Sequence, residues 1–559
     1  MAKAETQSGC SMEKDPRNGY SSKTKTVHSL RQPPHLPPET LAISVTDYVF
    51  SLLRSTGAAA AAADFSVDTA DFIIDATADR SVTYSCFLRQ VHSLTLSLPP
   101  LAKGQVALIL SPPSPCVPVL YFALLSLGVV ISPANPLATE SELIHMIKLS
   151  NPVVAFADSS VSHKLPPLPL GTILLNSSDF DSILTRPVQN GQNPKRLSVS
   201  QSDSAAILYS SGTTGRVKGV ELTHRNFIAM IAGSYHNRVV NERAKHLVAL
   251  LTVPLFHVFG FYKIMEMAAM ADTMVLMERF DFEKMLRAVE KYRITSMPVS
   301  PPIVVAMEKS ELTEKYDLSS LEFLRCGGAP LGKDVIERLK SKFPNIILVQ
   351  GYGLTETAGG GALMRPPETE WSGSVGRLTE LMEAKIVNPM TREAMPPGQR
   401  GELWLRGPTI MKGYVGDKDA TAATLDPEGW LKTGDLCYFD FDGFLYIVGR
   451  LKELIKYKAY QVPPAELERL LMTHPEIADA AVIPYPDEEA GEIPMALVVR
   501  KPDTHITAAQ VIDFVARQVA PYKKIRRVSF IDSIPKNPAG KILRRELINQ
   551  AVSGASARL

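Results

Sequence analysis

Short apolar runs alternate along the first two thirds of the chain with stretches whose hydrophobic positions recur every three or four residues. The runs lie at 106–110, 153–156, 205–208, 247–251 and 346–349, and amphipathic stretches such as 140–149 and 282–292 lie between them. Unbroken apolar runs suit strands buried on both faces, and period-3.6 segments suit the helices that connect them. The pattern therefore predicts an α/β fold with largely parallel sheets. The apolar stretch 117–131 contains Pro118, Ser126 and Gly128 and is shorter than the roughly 20 residues a bilayer span needs, so it reads as a buried core helix. From 376 to 448 the texture changes to short strands, such as 401–406 and 444–448, between Pro-Gly and Asp-Gly turns, which predicts a small β unit. Beyond Gly449 the chain reads helix-like at 464–473, strand-like at 480–484 and 496–499, and helix-like at 508–519. A boundary at Arg450–Lys452 divides an N-terminal domain, 41–449, from a small, mobile α+β C-terminal domain, 450–559. Residues 1–40, rich in Ser, Thr, Lys and Pro with no apolar signal core, read as a disordered leader. The alanine run 58–63 reads as a loop or helix-end insertion. No internal repeat is evident.

Composition narrows the classes. Hydrophobic residues are 45% and charged residues 21% of 559, with 34 Gly and 42 Pro, which excludes a disordered or fibrous chain. A formal charge of +2 and the lack of a basic cluster exclude nucleic acid as a bulk partner. The five cysteines, Cys10, Cys86, Cys116, Cys326 and Cys437, are scattered, with no C-x-x-C pair and no nearby His cluster, so a zinc site is not expected and reduced thiols are. The chain ends Ala557-Arg558-Leu559. This tripeptide is similar to the Ser-Lys-Leu peroxisomal address and would have the peroxisomal import receptor as its partner. Without that address the cytoplasm is the expected location.

The segment from Tyr209 to Gly219 packs four aliphatic hydroxyls, three glycines and Lys218 into one loop after an apolar run. Glycines let backbone N–H groups approach phosphate oxygens, hydroxyls donate to them, and lysine adds charge. No Gly-Lys-Ser/Thr closes the loop, so a Walker-type nucleotide site is excluded. The bland alternative is a flexible surface turn. This loop, then Gln350-Gly351-Tyr352-Gly353-Leu354-Thr355-Glu356, then the segment 430–435 ending in Thr433-Gly434-Asp435, then 449–458 beginning Gly449-Arg450-Leu451-Lys452, then 535–541 ending in Gly540-Lys541, resemble in order the core motifs of the acyl-adenylate-forming superfamily. Pro254-Leu255-Phe256-His257 and the segment 463–468 are similar to its plant 4-coumarate:CoA ligase and ligase-like branch. The likeness runs from about Pro38 to Leu547.

The resemblance implies an enzyme that joins a carboxylate to ATP, releases pyrophosphate, and passes the acyl group from acyl-AMP to CoA, with Mg²⁺ as cofactor. Bringing two anions together requires cations and donors aimed at the α-phosphate. By motif position, Ser210, Ser211, Gly212, Thr213, Thr214, Gly215 and Lys218 would hold the outer phosphates, Thr355 the α-phosphate, and Glu356 the metal. Gln350 and Gly351 would flank the adenine, with Tyr352 stacked on it. Asp435 would accept both ribose hydroxyls, a task for an acceptor-only group, with Arg450 beside it. Lys541 matches the catalytic lysine that bridges carboxylate and phosphate; on spacing alone it is also readable as a solvated lysine beside Arg544 and Arg545. His257 would gate the acyl pocket from the pantetheine tunnel, or be a satisfied core histidine. Lys452 would be the hinge about which the C-terminal domain turns between the two half-reactions. Lys456, Lys458, Gln461 and Arg279 would meet nucleotide and CoA phosphates, or form a solvated charged face.

Departures from the family pattern carry the specificity. Ala459 stands where glycine is usual, which puts thioester formation in question; Val217 replaces a frequent proline. Phe259 stands where 4-coumarate ligases carry tyrosine, removing the hydroxyl that would meet a phenol. Gly359, Gly360 and Gly361 replace bulkier residues and predict a lower pocket floor, with Ser300, after Met297-Pro298-Val299, along one wall and Gly327, Gly328 and Ala329 along the other. A roomier apolar pocket suits medium-chain fatty acids, oxylipin precursors or substituted cinnamates. The alternatives are an enzyme that stops at the adenylate, and a binding protein with a relic fold; the latter predicts missing groups, whereas Lys218, Glu356, Asp435 and Lys541 are all present.

Overall fold

The computed structural model of the chain describes residues 14–60, 66, 68–187, 198–210, 217–240, 246–329, 331–370, 373–458, 460–537 and 540–556. The apolar runs form strands of two sheets. One has seven strands in the order Gly413–Tyr414, Lys218–Thr223, Ser204–Ser210, Val130–Pro133, Val106–Leu110, Val154–Ala157 and Thr172–Leu174, parallel except where Lys218–Thr223 turns back on Ser204–Ser210 and pairs with Gly413–Tyr414. The other has nine, and its parallel centre runs Ile347–Tyr352, Phe323–Cys326, Ser296–Val299, Val248–Leu251, Thr273–Leu276 and Asp71–Asp75. Helices Val45–Ala60, Cys116–Ser126, His224–Val240 and Val258–Ala269 lie between the two sheets, and one core joins them to residues of both, including Ile109, Leu208 and Met274. The far face of the nine-stranded sheet buries Leu250, Val275, Met297 and Leu324 under helices Phe282–Lys291, Pro301–Lys309 and Lys333–Lys342.

Two expectations change. The stretch 117–131 is not one helix: helix Cys116–Ser126 ends, Gly128 turns the chain at φ +67, and strand Val130–Pro133 follows. Both elements are buried all round, so hydrophobicity alone carries no boundary between them. Residues 14–40 are not a disordered leader either. Strands Tyr20–Ser21 and Thr26–His28 add to an antiparallel sheet with Glu383–Val387, Gly401–Arg406, Leu431–Phe439 and Leu445–Arg450. Val27 is 5% exposed, His28 pairs with Glu383 at 2.9 Å, and Ser29 donates to the Leu378 carbonyl at 3.2 Å. Further along, Arg225 donates to the Pro37 carbonyl at 2.7 Å. The polar side chains of this segment serve partners hundreds of residues away, which composition does not reveal. Residues 1–13 and the tail 557–559 lie outside the described residues. Helix Val45–Ala60 takes in the first part of the alanine run.

After Arg450 a short 3-10 turn, Leu451–Glu453, leads into a fourth sheet built from Ile455–Tyr457, Tyr460–Val462, Ile477–Asp487, Gly491–Arg500 and Arg527–Phe530. Alternation along its long hairpin splits the packing: Ala480, Val482 and Val498 face helices Pro464–Leu471 and Ala508–Ala516, while Ala481, Ile483 and Leu497 face helix Arg544–Ser556. Thr507 and Gln510 close a reciprocal cap on Ala508–Ala516. These two clusters draw on no residue before Ile455.

Candidate active site

Because strands Ser296–Val299, Phe323–Cys326 and Ile347–Tyr352 are parallel, the residues that follow them emerge at one edge of the sheet. This brings together Ser300, then Gly327, Gly328 and Ala329, then Thr355 and Glu356. The carboxyl edge of an open α/β sheet is where ligands bind in such folds. The 3-10 turn Thr355–Thr357 is held by Thr357, whose hydroxyl accepts from Leu354 N at 2.9 Å, and it ends on Ala358 at φ +52. Glu356 is anchored by Tyr414, whose hydroxyl donates to Oε1 at 2.9 Å, and by Met411 N, which donates to its carbonyl at 2.9 Å. The same Tyr414 ring carries the Lys218 ammonium 4.3 Å from its centre. Lys218 pairs across the hairpin with Ser210, whose hydroxyl is buried with no partner among the described residues. Ser211, Gly212, Thr213, Thr214 and Gly215 lie outside them.

Asp435 comes from the antiparallel sheet and is 2% exposed. Tyr352 donates its hydroxyl to Oδ2 at 2.6 Å, and Arg450, directly opposite on the next strand, forms an ion pair with Oδ1 through Nε at 2.7 Å. Burial pushes the carboxyl up from the usual carboxylate range, while Arg450, Tyr352 and Lys541 pull the other way. Gly361 lies against the Tyr352 ring, where a Cβ would sit 3.2 Å from Cδ1. The Gln350 amide is 3.4 Å from the Ser374 carbonyl, so this side chain is engaged at the sheet edge, with Gly351 paired to Leu363 beside it.

The C-terminal unit supplies Lys541. Its loop is pinned by Asn537, whose Oδ1 accepts from Lys541 N at 2.9 Å, and by Gly540 at φ +78, where a Cβ would fall 2.9 Å from Pro302 Cδ. The loop therefore bears directly on the Ser300–Pro302 corner. Burial and the nearby Arg450 guanidinium lower the ammonium below its ordinary value, while Asp435, Glu356 and Glu453 hold it up. His257 lies at the same mouth. It caps helix Val258–Ala269 by accepting from Phe259 N at 3.4 Å, and burial with the Lys541 charge pushes it down to about 4, so the imidazole is neutral at pH 7. Lys541, His257, Asp435, Arg450 and Glu356 thus share one cleft although their sequence separations run to hundreds of residues.

A family model described as AMP-binding enzyme matches residues 59–415, and one described as AMP-binding enzyme C-terminal domain matches residues 466–541. The chain is 55% identical over 553 residues to 4-coumarate--CoA ligase-like 9 of Arabidopsis thaliana, covering 98% of both chains. It is 44% identical to Peroxisomal OPC-8:0-CoA ligase 1 of the same plant, over 96% of this chain and 98% of that one. Among solved structures, ATP-bound MatB from Rhodopseudomonas palustris superposes with a TM-score of 0.79 at 25% identity, over 89% of this chain and 98% of that one. MenE from Bacillus subtilis in complex with its acyl-adenylate intermediate OSB-AMP gives 0.74 at 26%, over 89% and 97%. The chain belongs to the AMP-binding enzymes.

As an AMP-binding enzyme of this branch it is an acid–thiol ligase with the adenylate-forming fold, using ATP and CoA. Several other residues named from sequence are exposed. Lys452 is exposed in the turn joining the two units, and Lys456 and Gln461 pair across an exposed hairpin. Lys458, at φ +52, pairs with Glu489 at 3.1 Å, and Arg279 is exposed after strand Thr273–Leu276. Ala459 lies outside the described residues. The lowered pocket floor is corrected. A Cβ on Gly360 would sit 2.2 Å from Met230 Sδ, so the space that glycine leaves is filled by Met230 from helix His224–Val240. Gly359, at φ +91, faces Val258. Burial acts on Lys541, against its reading as a solvated lysine, and of the two arginines beside it Arg544 is engaged, its guanidinium bonding Glu453 and Glu468, while Arg545 is exposed. Sequence reading missed Tyr414, Met230 and Arg544, whose roles come from partners 58 to 130 positions away and leave no local signature.

Proposed function

We propose that this ligase activates a medium-chain fatty, oxylipin-like or aromatic carboxylic acid as its adenylate and then forms the CoA thioester. The observation that carries the reading is the placement of the Lys541 ammonium beside Glu356, Asp435, Arg450 and His257, in a cleft roofed by the C-terminal unit. In the first step a carboxylate oxygen attacks the α-phosphorus of ATP, a new P–O bond forms, and the bond to pyrophosphate breaks. Lys541 neutralises the negative charge that both reactants bring, and it does so in a cleft from which most water is excluded. Asp435, held by Tyr352 and Arg450, accepts the ribose hydroxyls and fixes the nucleotide. Lys218 and the Ser210 hydroxyl face the outer phosphates. A single carboxylate beside a phosphate loop fits Mg²⁺, which takes one or two carboxylates and completes its shell with phosphate oxygens and water. Glu356 would hold it, and bound there it would withdraw charge from the phosphates.

In the second step the CoA sulfur attacks the acyl carbon and AMP leaves. Neutral His257 at the mouth gates that approach, and Lys452 is the hinge that withdraws Lys541 to admit the thiol. Lys456, Lys458, Gln461 and Arg279 are proposed contacts for the incoming CoA. Phe259, Ser300, Gly327, Gly328, Ala329, Gly359 and Gly360, with Met230, line the acyl site. Phe259 offers no hydroxyl for a phenol, which argues against 4-coumarate itself. The Ala-Arg-Leu tail and the relative named Peroxisomal OPC-8:0-CoA ligase 1 support a peroxisomal location. The test is a parallel assay of pyrophosphate and thioester against medium-chain, cyclic oxylipin-like and cinnamic acids. Equal yields of both products with at least one of these acids are expected. AMP without thioester would assign the protein to enzymes that stop at the adenylate, and no pyrophosphate with any acid would reject acid activation.

A further inference from the structure

Helix Val258–Ala269 is buried at every position but Phe259, yet it contains Lys263 and Glu266, 8% and 9% exposed. Lys263 lies four residues after Phe259 and therefore on the same helix face, about 9 Å below His257 at 1.5 Å per residue. The opposing wall is the sheet. Met297, Val299, Leu324 and Cys326 point to its far core, so Ser296, Pro298, Arg325 and Gly327 point to the helix side. Gly327 and Ser300 stand at the mouth, and Arg325 and Ser296 stand deeper on the same face. Burial lowers the Lys263 ammonium, with Glu266 holding it up and the Arg325 charge adding to the lowering, as expected of two cations on facing walls at that depth.

The hydrogen bonding there is unbalanced. Both oxygens of Glu266 are engaged, Oε1 by the Tyr262 hydroxyl at 2.7 Å and Oε2 by Lys263. Arg325 makes one hydrogen bond among the described residues, from Nε to Ser296 Oγ at 3.4 Å. The buried Lys263 is thus engaged by Glu266, while the half-buried Arg325 on the facing wall keeps N–H donors unused among the described residues. A buried charge without a full complement of partners is costly, and an incoming acceptor offsets that cost. We infer that the deep end of the acyl site is a polar subsite in which Lys263 and Arg325 hold an acceptor oxygen, a carbonyl or a second carboxylate, at the far end of the acid. This rests on the acid-activating reading and names the substrate class within it.

The test compares straight-chain acids of equal length ending in a methyl, an oxo group or a carboxylate, over several lengths, by kcat/KM for pyrophosphate release. The wild type prefers an acceptor-ended acid by about tenfold or more, most strongly when the acceptor lies about 9 Å from the reacting carboxyl. In Lys263→Met and Arg325→Gln that preference falls to about threefold or less. Lys263→Met/Glu266→Gln, which removes both charges together and leaves no bare carboxylate, gives the same loss should the single variant fold poorly. A preference for the carboxylate alone identifies charge pairing, and one shared by the oxo acid identifies hydrogen bonding. Turnover that favours methyl-ended acids, or a preference that survives in all three variants, overturns the subsite while leaving acid activation standing. Absence of pyrophosphate with every acid defeats both.

Discussion

Asp435 shows how one buried carboxylate is made useful by its neighbours. Arg450 takes one oxygen and Tyr352 the other, so the group is fixed in orientation while its remaining lone pairs are available to a ligand. Asp435→Asn preserves the shape but turns an acceptor into a donor facing either a guanidinium or a hydroxyl. The expected result is a rise in KM for ATP of about 10- to 100-fold, the range for losing a charged hydrogen bond, with a smaller change in KM for the acid. Steady-state kinetics with each substrate varied in turn checks this. An unchanged KM for ATP with a lowered Tm would make Asp435 structural only.

At the scale of elements, the Lys541 loop is braced by an arginine three residues further on. Arg544 donates Nε to Glu453 at 2.8 Å, Nη2 to Glu468 Oε2 at 2.9 Å and Nη1 to the Val482 carbonyl at 3.0 Å, joining the loop to the turn Leu451–Glu453, a helix and the central hairpin. Arg544→Met leaves Glu468 buried without its cation and should destabilise the C-terminal unit by about 3 kcal/mol. Denaturant unfolding measures the loss, and Arg544→Met/Glu468→Gln should recover most of it. The elements themselves were largely legible. The strands at 106–110 and 401–406 fall where an unbroken apolar run and flanking turns, respectively, predict them, because their hydrophobic pattern is a local consequence of burial. The break at Gly128 was not, since both sides of it are equally buried. Likewise the order of residues 14–40 depends on Glu383, Leu378 and Arg225, and the filling of the Gly360 space depends on Met230. Order and volume at these places are set by contacts distant in sequence, while the residues proposed to face the nucleotide come in contiguous motifs that a sequence displays directly.

The whole molecule carries histidines kept neutral by its layered core. His224 is fully buried, accepts from Val45 N at 3.1 Å, and is pushed by desolvation down to about 4. Its unfolded form binds a proton near 6.5. The depressed native value means that its contribution to stability is complete above pH 6.5 and is lost as pH falls toward 4, by about 3 kcal/mol. Unfolding midpoints at pH 7, 5.5 and 4.5 should show this slope, and His224→Asn, which keeps an acceptor near Nδ1, should flatten it. Across the same molecule, the C-terminal unit holds Lys541 over a cleft whose other groups belong to two different sheets. The most direct measurement of that arrangement is to separate the half-reactions in Lys541→Ala. ATP–pyrophosphate exchange should fall by about 100-fold or more, while thioester formation from supplied acyl-adenylate and CoA stays within about threefold of wild type. Equal loss of both, or exchange that survives, would contradict a lysine that acts in adenylation alone.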